Sequence, residues 1–240
     1  MAGPDLRDPN SLHQPLPTLD DWDKPNLKEL KLGVYWPWFR HADAEVVAAC
    51  KFMLKQFEAR GAEIREIVIP NLEMNRIAHS ITIISEMAQA VSYWHKEHHR
   101  EHGLDVRLTL DLARTLTSLD YVLAQRVRTR MMAHFKSAFE KVDAVLTPTT
   151  AVAAPPILPG ALPDGESDLA KTADIMRFVT VANMTGLPAI SFPAGYTAKG
   201  LPIGMQAIGR AWEESLLLRL AINAEEVVER KEPKVWYGVL

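Results

Sequence analysis

Between residues 30 and 70 the apolar positions change register twice. Leu30 to Trp36 (LKLGVYW) is short and largely apolar, which predicts a strand, and the aromatics Trp38 and Phe39 follow it. Val46, Val47, Cys50, Leu54 and Phe57 then share one face of a helix over Ala44 to Arg60, which Asp43 can cap and Gly61 stops. Ile64 to Ile69 is a second strand, closed by Pro70. Strand, helix, strand within about forty residues is a βαβ unit, which predicts a parallel pair covered by a helix.

Residues 72 to 142 carry helical periodicity almost throughout. Three helices are expected: Leu72 to about His102, ended by Gly103; Leu108 to Leu116; and Leu119 to Val142, capped by Thr117 or Ser118. Asp143 to Thr147 (DAVLT) is a further buried strand. The five prolines and Gly160 between Pro148 and Pro163 exclude a helix or a central strand and predict an ordered loop or lid. Ile175, Phe178, Val179, Ala182 and Asn183 recur at helical spacing in a helix expected over 171–184, ended by Gly186 and Pro188. Ala189 to Pro193 and Leu201 to Ile208 follow as two strands around the polar reversal Tyr196 to Gly200, and Glu213 to Glu229 closes as an amphipathic helix. Asn183 and Gln206 stand among apolar residues, so each needs a specific hydrogen-bond partner. The organisation expected is an extended Pro-rich lead-in over 1–29, a folded part over 30–232 and a tail over 233–240.

Composition narrows the class. With 48% hydrophobic and 24% charged residues the chain is globular, and its formal charge of −3, with no concentrated basic face, gives no reason to expect nucleic acid. A single cysteine, Cys50, excludes an internal disulfide and sits on an apolar helical face, as a buried structural thiol does. Met1 to Asn10 has no apolar run of the signal-peptide kind, and no segment has the length of a transmembrane helix. The location expected is cytoplasmic or peripheral to a membrane.

The run Asn183-x-x-Gly186-Leu187-Pro188-Ala189-Ile190-Ser191-x-Pro193-x-Gly195, then Gly200-Leu201-Pro202-Ile203-Gly204-x-Gln206-x-Ile208-Gly209-Arg210, resembles the C-terminal signature of the amidase signature family. Gly3-Pro4-Asp5-x-Arg7-Asp8-Pro9, Lys31 to Val34, and Arg126-x-Arg128 with Val142 to Thr149 extend the resemblance over most of the chain. Tyr35-Trp36-Pro37-Trp38-Phe39 and Asp174 to Val181 resemble the fatty acid amide hydrolases of plants within that family. The resemblance implies an α/β fold, with a mixed, largely parallel sheet and helices on both faces. It also implies hydrolysis of fatty amides such as N-acylethanolamines by a lysine and two serines, without metal or organic cofactor.

Those three catalytic residues have no match here. None of the 12 glycines adjoins another, no Gly-Gly-Ser-Ser run occurs, and the serines stand singly. The chain thus looks like the C-terminal half of an amidase, inactive alone. A binding wall is the expected contribution: Ile175, Met176, Phe178, Val179 and Ala182 by resemblance to the acyl tunnel, with Leu112 and Thr115 from the earlier helix as further candidates, each of which ordinary core packing also explains. The partners left open are a second copy of the chain, or an N-terminal half supplied in trans; the alternative reading is a non-catalytic module that binds acyl lipids or a partner. His95, His98, His99 and His102 share a helical face, but the interleaved Lys96, Glu97, Arg100 and Glu101 read as a solvated helix end, and no metal is assigned. Glu86 with Arg126, Arg128 and Arg130 reads either as an ion-pair cluster or as surface charge, and Ser191 as a strand residue bonded to a neighbour.

Overall fold

The computed structural model describes residues 3–9, 11, 14–161 and 168–231. The expected tail at 233–240 and the far end of the proline-rich loop, residues 162 and 163, lie outside them.

Five strands form one sheet: β1 (Lys31–Val34), β2 (Glu63–Glu66), β3 (Ala144–Pro148), β4 (Ala189–Tyr196) and β5 (Pro202–Gly209), in the order β2-β1-β3-β5-β4. β1 runs parallel to both β2 and β3, while β5 runs antiparallel to both β3 and β4. The sheet is mixed as expected, with its pairings divided evenly between the two senses. The helical crossovers dictate the parallel half and the tight Tyr196–Gly200 reversal dictates the antiparallel half.

Alternation along the strands divides the core in two. On one face Leu32, Val34, Leu146, Ile203, Met205 and Ala207 pack under α2 (Ala44–Ala59) and α9 (Glu214–Glu225). On the other, Val145 and Ile208 pack under α6 (Ser118–Phe139) and α8 (Thr180–Thr185), which contribute Met131, Phe135, Phe139 and Val181. β3 is buried at all five positions because it lies centrally and is covered from both sides. Gly33 is required where β1 passes the second layer, since a Cβ there would lie 2.9 Å from both Ile67 and Val142 side-chain carbons.

Several helices differ from the periodicity. The piece expected over 72–102 divides into α3 (Leu72–Ala90), α4 (Ser92–His98) and a 3₁₀ turn at His99–Glu101, followed by α5 (Leu104–Ala113). A straight helix of that length would run about 45 Å, past anything it could pack on. Turning at Val91 instead lets α4 and α5 fold back onto α3. The helix expected over 171–184 is likewise two, α7 (Leu169–Ile175) and α8, while Trp36–Phe39 forms a single helical turn, α1. Thr117 caps α6 with a reciprocal bond to Asp120, as its sequence allows. Asp43 holds the N-cap position of α2 without a side-chain cap; its backbone N–H donates to the Ala151 carbonyl at 2.8 Å.

Among the described residues ahead of β1 there is no helix or strand, and the end of this lead-in is docked on α9. Leu27 is fully buried, the Asn26 carbonyl accepts from Arg219 at 2.8 Å, and the Lys24 carbonyl accepts from Asn223 at 3.0 Å.

Candidate functional site: the α7–α8 wall and its surroundings

The stretch from α7 to α8 starts with Asp168, whose carboxylate accepts the backbone N–H groups of Ala170 and Lys171 at 3.0 Å. It ends at Gly186, in the left-handed region at φ 74°, whose N–H donates to the Ala182 carbonyl at 2.9 Å. Between the two helices the chain is held from outside. Arg177 donates to the His41 carbonyl at 2.9 Å and pairs with Asp174, and the Asp174 carbonyl accepts from Ala151 at 3.2 Å. These bonds interrupt a pattern that would otherwise continue as one helix.

The interruption redistributes the predicted wall. Phe178 is fully buried, 5.5 Å from the Trp38 ring, and belongs to the core. Ala182 is buried as well, whereas Ile175, Met176 and Val179 are half-buried on the same stretch. Leu112 and Thr115 are exposed near the end of α5, which packs on α3. The first five residues are thus brought together by chain continuity, and Leu112 and Thr115 sit on a different helix pair.

Two cavities flank this stretch. One, of about 540 Å³, opens between α1, α3 and α7, where Tyr35 and Trp38 face the paired charges Glu73, Arg76, Asp174 and Arg177. The other, of about 380 Å³, lies beyond the end of α8. Its lining of Met132, Phe135, Phe139 and Leu187 is almost wholly apolar, with Arg210 at one side. Periodicity did not single out this second cleft, because its walls come from α6 and from the turn after Gly186.

The buried amide Gln206 finds the partners its position demands: its Nε2 donates to Thr147 Oγ1 at 3.1 Å and to the Phe178 carbonyl at 3.2 Å. Asn183 differs from expectation. It is exposed, and its amide lies 3.5 Å from His79 Nε2, a ring whose pKa burial depresses. Glu86 accepts from the Tyr121 hydroxyl at 2.8 Å rather than pairing with an arginine, and Arg128 donates to the Met184 carbonyl at 2.7 Å, joining α6 to α8. Ser191 Oγ lies 2.6 Å from Thr149 Oγ1, beside Gly204, where a Cβ would come within 2.9 Å of the threonine oxygen. Among the described residues no lysine hydrogen-bonds to either hydroxyl, so nothing there is placed to remove a proton.

Cys50 is the remaining nucleophile type. Burial pushes its thiol up to about 12, and its hydrogen-bond contact among the described residues is a long one, 3.8 Å to the Gly204 carbonyl. Native protein at pH 8 should therefore resist iodoacetamide, with labelling appearing only in denaturant. Stoichiometric labelling of the folded chain within minutes would contradict this burial.

The histidine run is solvated except at His95: Lys96, Glu97, His99, Arg100 and Glu101 are exposed, and His98 and His102 are half-buried. His95 is buried, its ring stacks on His102 with centroids 5.6 Å apart, and it approaches Asp111 of α5. No helix among the described residues is long and apolar enough to cross a membrane.

Comparison with known proteins agrees with the signature. The amidase family model matches residues 1–218. A fatty acid amide hydrolase of Medicago truncatula is 42% identical over 94% of this chain, and an amidase of Pseudomonas putida is 32% identical over 94%. The chain spans 38% of the length of the first and 49% of the second. Among solved structures, a bacterial aryl acylamidase superposes with a TM-score of 0.75 at 22% identity, covering 93% of this chain and 48% of its own. With the signature strands, the mixed sheet and a family match over most of its length, the chain belongs to the amidase signature family.

Proposed function

We propose that this chain is the scaffold and pocket-wall portion of a serine amidase acting on long-chain fatty amides of the N-acylethanolamine type. The observation that carries the reading is its 42% identity, over 94% of its length, to a fatty acid amide hydrolase of which it spans 38%. In such a reaction a serine oxygen attacks the amide carbonyl, the C–N bond breaks as the amine leaves with a proton, and water releases the acid. The lysine and two serines for those steps are contributed from outside these 240 residues.

This chain's own contribution is binding. The half-buried Ile175, Met176 and Val179 offer an apolar surface to an acyl chain, which gains about 0.8 kcal/mol per methylene removed from water. Leu112 and Thr115, exposed near the end of α5, are a second and separate candidate stretch. Phe178 and Ala182 support the wall from behind. β4 is an edge strand with Ala189, Ser191 and Pro193 exposed, and such an edge is where the catalytic portion, present in trans, would add to the sheet.

The test is an assay of the purified 240-residue chain on a long-chain N-acylethanolamine, alone and mixed with a separately produced catalytic portion from a plant relative. No turnover alone, and turnover in the mixture, is the expected result. Turnover above a buffer blank by the chain alone would overturn the reading. A second reading, a non-catalytic acyl-lipid-binding module, draws on the apolar cleft of about 380 Å³ between α6 and Leu187. Its mark is saturable binding of a fluorescent fatty acid by the chain alone, with no activity in the mixture.

A further inference from the structure

We infer that His95, His99 and Asp111 form a binding site for a zinc-like divalent cation, clamping α4 and the 3₁₀ turn to α5. The site is independent of amide hydrolysis and lies outside the signature. One ligand atom from each residue lies within 4.8 Å of the other two. His95 Nε2 is 3.3 Å from Asp111 Oδ1, and His99 Nε2 is 3.6 Å from Asp111 Oδ2.

Two arrangements use these groups. A carboxylate accepting from two imidazoles through hydrogen bonds alone would draw both nitrogens to about 2.7–3.2 Å. Ligands around a tetrahedral zinc ion, with bonds of about 2.0–2.2 Å, stand about 3.3–3.5 Å from one another. The His95–Asp111 contact is a hydrogen bond at 3.3 Å and the set, one ligand atom from each residue, spans up to 4.8 Å, so a zinc ion would replace that bond and draw the three groups inward. The donor set, two imidazoles and one carboxylate, is that of a zinc site with its fourth position open to water.

The surroundings point the same way. His95 is 3% exposed, so one ligand is fixed by packing rather than free to rotate. His99 and Asp111 are about half exposed, which gives the cation an entry path. His98 is not part of the set; its Nδ1 is bonded to Glu101 at 2.9 Å.

The experiment is a titration of the tag-free, metal-stripped 240-residue chain with Co²⁺ alone, followed by Zn²⁺. The expected result is the visible absorption of a four-coordinate cobalt ion at one equivalent, its displacement by Zn²⁺, and a rise in melting temperature with Zn²⁺. H99A and D111N, both at solvent-exposed positions, should each weaken Zn²⁺ binding by about tenfold or more, and H98A should leave it unchanged. Absence of the cobalt spectrum overturns the inference. So does wild-type affinity in D111N, which would assign the binding to other histidines.

Discussion

Phe178→Ala should lower the stability of the chain by about 3–5 kcal/mol, while Val179→Ala, one residue along, costs roughly 1 kcal/mol. Phe178 is fully buried against the layer formed by Trp38, Phe135, Val145 and Ile208, so its removal leaves a cavity in a region fixed by the sheet on one side and α6 on the other. The tilted ring pair with Trp38, at 5.5 Å, is lost with it. Val179 is only half-buried, so its neighbours can close over the missing methyls. Urea unfolding measures both: the midpoint should fall sharply for the first variant and slightly for the second, with the slope unchanged. Equal losses would mean that the stretch between α7 and α8 faces the core differently. Because Phe178 serves the core, its substitution is a poor probe of substrate binding, and Val179 is the informative position.

That division could not be read from spacing. Ile175, Phe178, Val179 and Ala182 fit one helical face, and a single helix would present all four together. The break arises from Arg177 reaching the His41 carbonyl and Ala151 reaching the Asp174 carbonyl, partners more than twenty residues away. Local signals fared better wherever the residue's own chemistry decides the outcome. Gly186 takes the positive φ that ends α8, Thr117 forms its capping box, and Gln206 buries its amide only with two acceptors in reach. The strands were legible for the same reason, since β-branched and apolar runs bounded by Gly and Pro leave few alternatives. Strand pairing was legible only in part: the βαβ spacing announces the β1–β2 pair, but nothing local says that β3 inserts between β1 and β5. The histidine run was legible except at His95. Its interleaved charges describe a solvated helix, and only the turn at Val91, which brings α5 alongside, buries His95 against Asp111.

Arg210, the last residue of the signature, should prove a structural clamp whose worth lies in its shape more than its charge. It leaves β5 and turns its guanidinium onto the end of α6, where Nη2 donates to the Phe139 carbonyl at 2.7 Å and to the Val142 carbonyl at 2.8 Å. The first is a terminal carbonyl that α6 itself cannot satisfy, and the second lies in the turn between α6 and β3. Nη1 meets Glu213 at 3.2 Å, and the plane lies 5.7 Å from the Phe139 ring. Arg210→Met keeps an apolar stem but strands both carbonyls, and should cost about 2–3 kcal/mol, since the lost bonds involve a charged donor and their partners stay partly buried. For a chain of this size that corresponds to a fall of roughly 5–10 °C in Tm. Arg210→Lys retains the charge, yet one ammonium cannot reproduce the fork that spans two carbonyls and the carboxylates of Asp143 and Glu213, so it should recover less than half of the loss. Thermal unfolding of the three proteins at low and high salt separates the possibilities. A lysine variant as stable as the parent, or a difference that vanishes in salt, would make this an ordinary surface charge. A deficit that persists in salt would show that the signature ends in arginine because β5 must be fastened to the end of α6 beside the entrance to β3.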